Sequence, residues 1–254
     1  MEAVNRKPFQ GIINIIRFNW HFYFIALLVL VSLHLSKGLL ADGFHPAIAI
    51  TGLLLIVSII VSLLVSFYVY DVSDLYKLDW LQLTALTDAC LVNIHAGFDE
   101  TSSLLSEKYP QATLVVFDFY DPERHTEISI RRARKLYSPY PGTAEITTTN
   151  VPLQGKSADT IFCILSAHEI RNSDERTVFF LQLRNSLKKD GRIIVVEHLR
   201  DAANLFAYNI GFLHFHSKKE WQSTFAKAGL TIEKKRKITP FITAFTLQKN
   251  GTSS

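Results

Sequence analysis

The chain has 254 residues, 27 of them basic and 23 acidic, for a formal net charge of +4, and 48% are hydrophobic. That length favours one or two domains, and the composition excludes a disordered chain, a collagen-like chain and a disulfide scaffold. No nucleic-acid partner is expected, because neutralising phosphates takes a concentrated basic face. Cys90 and Cys163 sit in apolar, strand-like runs without a C-x-x-C spacing, where a thiol acts as a small buried hydrophobe.

Residues 18–36 carry no Asp, Glu, Lys or Arg, and the centre reads FIALLVLVSL. As a helix they reach roughly 28 Å at about 1.5 Å per residue, close to a hydrocarbon core. A second uncharged run covers residues 46–70 and opens with Pro46, a favourable first helical residue. Two such runs predict a transmembrane hairpin over residues 1–70. A signal peptide is disfavoured because the runs are long and paired. Arg6, Lys7 and Arg17 precede the first span, whereas the short connection carries only Lys37. The positive-inside rule then puts the N-terminus and everything after the hairpin in the cytoplasm, at the inner membrane. Ser58, Ser62 and Ser66 line one face of the second span at a spacing that suits close helix packing; a homodimer contact is the other use of such a stripe.

Residues 71–88 read as a linker and a short covering helix. From Ala89 onward apolar runs alternate with helical patterns. ACLVNI, TLVVFDF, AEITTT, SADTIFCILS and RIIVVEH read as strands, with helices expected from Asp99 to Tyr109, Pro122 to Leu136 and Ser173 to Leu187. The helix KKEWQSTFAKAGL and strands TIEKKRKIT and FITAFTLQK close the chain. This alternation predicts a mostly parallel sheet of seven strands. Only Pro240 separates the last two strands, so they should pair antiparallel. Ligands in such sheets bind beyond the carboxyl ends of the strands.

The first strand runs into Asn93-Ile-His95-Ala-Gly97-Phe-Asp99, where Gly97 allows close backbone approach. Asp118 ends the second strand about 20 residues on, the spacing of an acid that accepts hydrogen bonds from ribose hydroxyls. The fourth strand ends in Ser166-Ala-His168-Glu169 and the fifth in Glu197-His198, so both clusters should meet at one rim of the sheet. No ligand spacing supports a metal site among His168, Glu169, His198 and His214, and none is expected. The aromatic stretch from Asn204 to His216 reads as the apolar wall of a pocket, with a buried helix as the alternative. The run Lys234-Lys235-Arg236-Lys237 reads as a solvated strand face.

ADTIFCILSAHEI, LRNSLKKDGRIIVVEHLRD and the closing helix with its two strands resemble class I S-adenosylmethionine-dependent methyltransferases, in the right order, over roughly residues 89–248. The resemblance implies a Rossmann-like α/β domain over 89–254 with an antiparallel last strand, and S-adenosylmethionine as cofactor. It implies cofactor contacts at Asn93, His95, Gly97, Asp99, Asp118, Phe119 and Ser166. His95, Gly97 and Asp99 take the places of a G-x-G-x-G loop, Asn93 the place of an acid, and Thr147 that of the adenine-contacting acid. His168 is the expected base, with Glu197 and His198 behind it. A membrane tether makes sense for a hydrophobic aromatic or lipid-like acceptor. The degenerate glycine loop keeps open a second reading, a non-catalytic membrane scaffold on the same fold.

Overall fold

The computed structural model describes residues 6–83, 87–124 and 127–251. Two long helices come first, α1 (Gln10–Ser36) and α2 (His45–Phe67), antiparallel and joined by a short connection. Both are long and apolar enough to cross a membrane by length and composition. The first starts eight residues before the uncharged run and is broken at Asn19 (φ −115°, ψ 18°). There the Asn19 side-chain amide donates to the Ile15 carbonyl at 3.0 Å, competing with the helical ladder. Before the break, Gly11, Asn14 and Phe18 are buried against the rest of the chain; after it, no residue of α1 is buried. On α2, Ser58 and Ser62 are half-buried and Ser66 is buried.

A π-type turn, Tyr68–Val72, ends α2. The covering helix expected over 71–88 is instead a run of turns among the described residues, with residues 84–86 outside them. The segment is packed all the same: Leu75, Leu78, Trp80 and Leu81 are buried under one face of the sheet. Leu78 takes φ 58°, a left-handed conformation that interrupts any helix there.

The sheet has seven strands in the order β3-β2-β1-β4-β5-β7-β6. These are β1 (Cys90–His95), β2 (Thr113–Asp118), β3 (Ala144–Glu145), β4 (Ala158–Ile164), β5 (Leu187–His198), β6 (Leu230–Lys237) and β7 (Ile242–Lys249). All are parallel except β7, which runs antiparallel to both β5 and β6. The sheet therefore closes on a hairpin whose second strand inserts between its first and the parallel body.

Between the strands lie α3 (Ser102–Lys108), α4 (Ile128–Leu136), α5 (Ser173–Ser186), α6 (Ala202–Tyr208) and α7 (Lys218–Lys227). The fourth helix starts later than the expected Pro122, and His125 and Thr126 lie outside the described residues. Lys189, Asp190 and Gly191, between the expected helix and strand RIIVVEH, are extended strand: pairing jumps from Ala158–Leu187 to Thr160–Arg192, so the intervening residues form a bulge. Gly191 is required there, since a Cβ would lie 2.8 Å from the Ala158 carbonyl oxygen.

On one face, Phe179 and Phe180 of α5 and Trp221 and Phe225 of α7 interlock edge-to-face and stacked, all fully buried. Each such side chain contributes about 1.5–3 kcal/mol. A capping box, Ser217 with Glu220, starts α7. The thiol of Cys163 lies in this core, and burial pushes its pKa up.

Candidate functional site

The carboxyl ends of β1, β2, β4 and β5 meet at one rim. At the β1 end, Gly97 adopts φ 88°, and a Cβ there would lie 2.9 Å from the Tyr120 ring, so conformation and space both call for glycine. The Gly97 N–H donates to His95 Nδ1 at 3.2 Å. Asp99 Oδ1 accepts from the backbone N–H groups of Thr101 and Ser102, both at 2.9 Å, capping the turn into α3. Asn93 donates to the hydroxyls of Thr101 (3.0 Å) and Ser102 (2.8 Å), pinning that turn from beneath. His95 Nε2 and Asp99 Oδ2, both buried, have no hydrogen-bond partner, and both residues line a cleft beside Gly97.

Asp118 is buried at the end of β2, where Oδ1 accepts from the Tyr120 N–H at 2.9 Å. Its other oxygen is held by the Arg134 guanidinium, which lies over the Tyr120 ring at 4.6 Å. With Arg134 in place the cleft is small, about 70 Å³. A larger hollow of about 340 Å³ opens on the far side of Tyr120, walled by Glu145, Thr147 and Pro152. Two expected cofactor contacts point elsewhere. Phe119 is buried in the core against Phe179, with ring centroids 5.5 Å apart. The Ser166 hydroxyl donates to the Ile94 carbonyl at 2.8 Å, tying the ends of β4 and β1 together.

The two rim clusters do meet. Glu197 is fully buried; its Oε2 lies 2.7 Å from His168 Nδ1 and its Oε1 accepts from the His168 N–H at 3.1 Å. On the ring's other side, Nε2 is 3.2 Å from Glu169 Oε1. Burial opposes charging of His168, but Glu197 and Glu169 outweigh it and raise its pKa to about 10. His214 joins from the segment after α6: its Nε2 is 3.3 Å from Glu169 Oε1 and its Nδ1 2.8 Å from Glu127.

His198 has a different setting. Its Nδ1 faces Asn204 Oδ1 at 3.0 Å, an oxygen that can only accept, so the proton sits on Nδ1. The other nitrogen then accepts from the Tyr70 hydroxyl at 2.9 Å. Burial lowers the His198 pKa to about 4, and Phe215 stacks on its ring at 4.7 Å. Both nitrogens are thus spent, Nδ1 on Asn204 of α6 and Nε2 on joining the helical hairpin to the domain.

Sequence reasoning missed the docking of α1 onto this rim. Phe18 meets Phe98 edge-on at 5.5 Å, and Phe98 packs on Tyr137 at 5.2 Å. The Tyr137 hydroxyl donates to Asn14 Oδ1 at 2.8 Å, and Arg132 of α4 reaches the Phe18 carbonyl and His21. The basic run Arg131-Arg132-Ala133-Arg134-Lys135, whose Arg132 meets α1, was the advance signal in the sequence. The pocket wall expected over Asn204–His216 forms α6 and a 3-10 turn, and much of it faces outward: Phe206 is 73% and Ile210 82% exposed.

No protein-family model and no curated protein matches the chain. Solved structures do. An O-methyltransferase family 2 protein from Planctomyces limnophilus, complexed with apigenin, is 13% identical over 76% of this chain, with a TM-score of 0.50; the match spans 60% of that protein. An S-adenosylmethionine-dependent methyltransferase from Clostridium acetobutylicum is 14% identical over 65% of this chain and 86% of its own, with a TM-score of 0.47. LepI, in complex with S-adenosylmethionine, is 19% identical over 69% of this chain and 46% of its own, with a TM-score of 0.47. The strand order and the first of these likenesses show that the domain after the hairpin has the class I methyltransferase fold.

Proposed function

We propose that the protein is a membrane-anchored methyltransferase that uses S-adenosylmethionine and acts on a hydrophobic aromatic or lipid-like small molecule. The observation that carries methyl transfer is the pairing of left-handed Gly97 with buried Asp118 at adjoining strand ends of this sheet. The residues present fit the cofactor. Buried Asp99 Oδ2 and His95 Nε2 face each other at 4.0 Å without a hydrogen bond, and both residues line the cleft, which suits a site for a polar ligand. Asp118 would accept from the ribose hydroxyls, Asp99 from the amino group, and the hollow beyond Tyr120 would take the adenine, with Thr147 in the place of an acid. When bound, the cofactor supplies an electrophilic methyl group on a sulfonium.

On the acceptor side, Glu197 fixes the orientation of His168, whose Nε2 is turned toward Glu169 and His214. These groups would hold an acceptor hydroxyl and manage its proton, while Phe215 offers an apolar surface beside the His168 ring. Fixing nucleophile and methyl carbon in line supplies much of the rate in such a transfer.

The anchor is supported by exposure. Leu27, Leu28, Leu53 and Leu54 on α1 and α2 are each more than half exposed, whereas the core helix of a soluble domain buries such residues. α6 packs beside α2 and carries Phe206 outward, and the 3-10 turn after it carries Ile210 outward, extending the same apolar surface. The basic residues before the first span support a cytoplasmic position for the domain.

One observation favours the second reading, a non-catalytic scaffold: Arg134 occupies the Asp118 carboxylate and the cleft at Gly97 is small. Calorimetric titration of the detergent-purified chain with S-adenosylmethionine, beside Asp118→Ala, separates the two. Binding that the variant loses supports the enzyme. No binding by the intact chain supports the scaffold.

A further inference from the structure

Spacing along the chain gives no metal signature, yet folding gathers one. His168, Glu169 and His214 come from two segments more than 40 residues apart, and each offers a ligand atom within 4.8 Å of the other two. Glu169 Oε1 is 3.2 Å from the first imidazole nitrogen and 3.3 Å from the second. Ligands at about 2.0–2.2 Å from one ion stand about 3–3.5 Å apart, so both separations suit a shared ion. The two nitrogens need only draw together, which for His214 requires release of Arg171 from its ring.

A stronger sign is what lies behind each ring. His168 Nδ1 is held by buried Glu197 at 2.7 Å, and His214 Nδ1 by Glu127 at 2.8 Å. Two imidazoles that each direct Nε2 to a common point, with a carboxylate on each Nδ1, reproduce the carboxylate–histidine backing that orients metal-ligating histidines. A purely structural histidine needs one such partner, and two independent ones aimed at the same point have no packing role. The set of two imidazoles and one carboxylate leaves further coordination positions open and suits a first-row divalent cation rather than calcium or magnesium. Arg171 Nη2 sits on both ring nitrogens of His214, 2.7 Å from Nε2, and its Nη1 donates to the His214 carbonyl; this exposed cation holds the ligand nitrogen itself and must swing away when an ion enters.

We infer that His168, Glu169 and His214 form a binding site for a divalent transition-metal ion, with Glu197 and Glu127 as positioning residues. The site stands apart from methyl transfer in its evidence, although an ion there would face the proposed acceptor pocket and offer it an open coordination position.

The test uses Co(II) as probe on the detergent-solubilised full chain after treatment with a chelator. The expected result is one Co(II) per chain with visible d–d bands. Affinity should fall at least tenfold in Glu169→Gln and in His214→Gln, and roughly 10- to 100-fold in Glu127→Gln. Arg171→Ala should bind more tightly, because it removes a competing cation; this exposed change keeps the test decisive if the buried variants fail to fold. No Co(II) bound by the intact chain overturns the site, as does an affinity unchanged in both ligand variants or unimproved in Arg171→Ala. None of these readouts depends on S-adenosylmethionine or on any methyl transfer.

Discussion

The Tyr70 hydroxyl and His198 Nε2 meet at 2.9 Å, 128 residues apart in sequence, and join the end of the second long helix to the end of β5. The imidazole is buried and its other nitrogen is already bonded to Asn204, so removing the hydroxyl takes away the bond made to Nε2. Tyr70→Phe should therefore cost about 1–3 kcal/mol, the penalty for an unsatisfied buried acceptor. Thermal unfolding in detergent measures it, and a change below a few tenths would refute the bond's importance.

His198 also sets a pH dependence. Its folded pKa is about 4, against about 6.5 in the unfolded chain, so between these values only the unfolded state takes up the proton. Stability attributable to this group is full above about pH 6.5 and declines as pH falls toward 4. The total is on the order of 3 kcal/mol at one pKa unit per about 1.4 kcal/mol. Unfolding curves at a series of pH values, compared with His198→Gln, should show a shallower acid slope in the variant.

Arg134 decides whether Asp118 is available. Arg134→Ala should tighten S-adenosylmethionine binding severalfold if the ribose contact is limiting, while lowering stability because a buried carboxylate loses its ion-pair partner. Titration calorimetry and thermal unfolding of the same preparation read the two opposite effects. Weaker binding together with lower stability would show that Arg134 builds the site and does not cover it.

Gly11 lies where α1 meets the domain, and a Cβ there would stand 2.5 Å from the Tyr70 Cβ. The Asp71 carboxylate accepts from the N–H groups of Gly11 (2.7 Å) and Ile12 (2.8 Å) across the same junction. Gly11→Ala should force these apart at about 1–3 kcal/mol. Limited proteolysis between residues 72 and 88 should accelerate in the variant, and an unchanged cleavage rate would rule out the crowding.

Much of the framework was legible because it rests on local periodicity. Strands such as ADTIFCI and RIIVVEH are apolar runs of fitting length, the paired uncharged runs mark two helices, and Pro240 between two strands forces an antiparallel return. What stayed hidden depends on distant partners. Insertion of β7 between β5 and β6 is a choice of neighbour that no single segment encodes. Arg134 of α4 on Asp118, and Glu127 and His214 beside Glu169, come from separate segments whose placement is set by the whole fold. His198 looked like a rim residue because it follows Glu197, but alternation along a strand sends neighbours to opposite faces. Glu197 therefore meets His168 while His198 meets Tyr70. The start of α1 was hidden because only its uncharged part stood out, whereas Gly11, Asn14 and Phe18 belong to the domain's packing.

The break at Asn19 divides one helix between two mechanical roles. Its first turns are wedged against Phe98, Tyr137 and Arg132, while the remainder projects away with α2. A torque on the projecting part is thus delivered to the loop that carries Gly97 and to α4, which carries Arg134. A chain shortened to begin after residue 70 would lose the packing behind the wall of its own cleft, leaving Phe98 without Phe18, Tyr137 without Asn14 and His198 without Tyr70. Such a fragment is a damaged enzyme candidate and not a simplified one, so comparisons of anchored and free forms need the anchor replaced and its first turns kept.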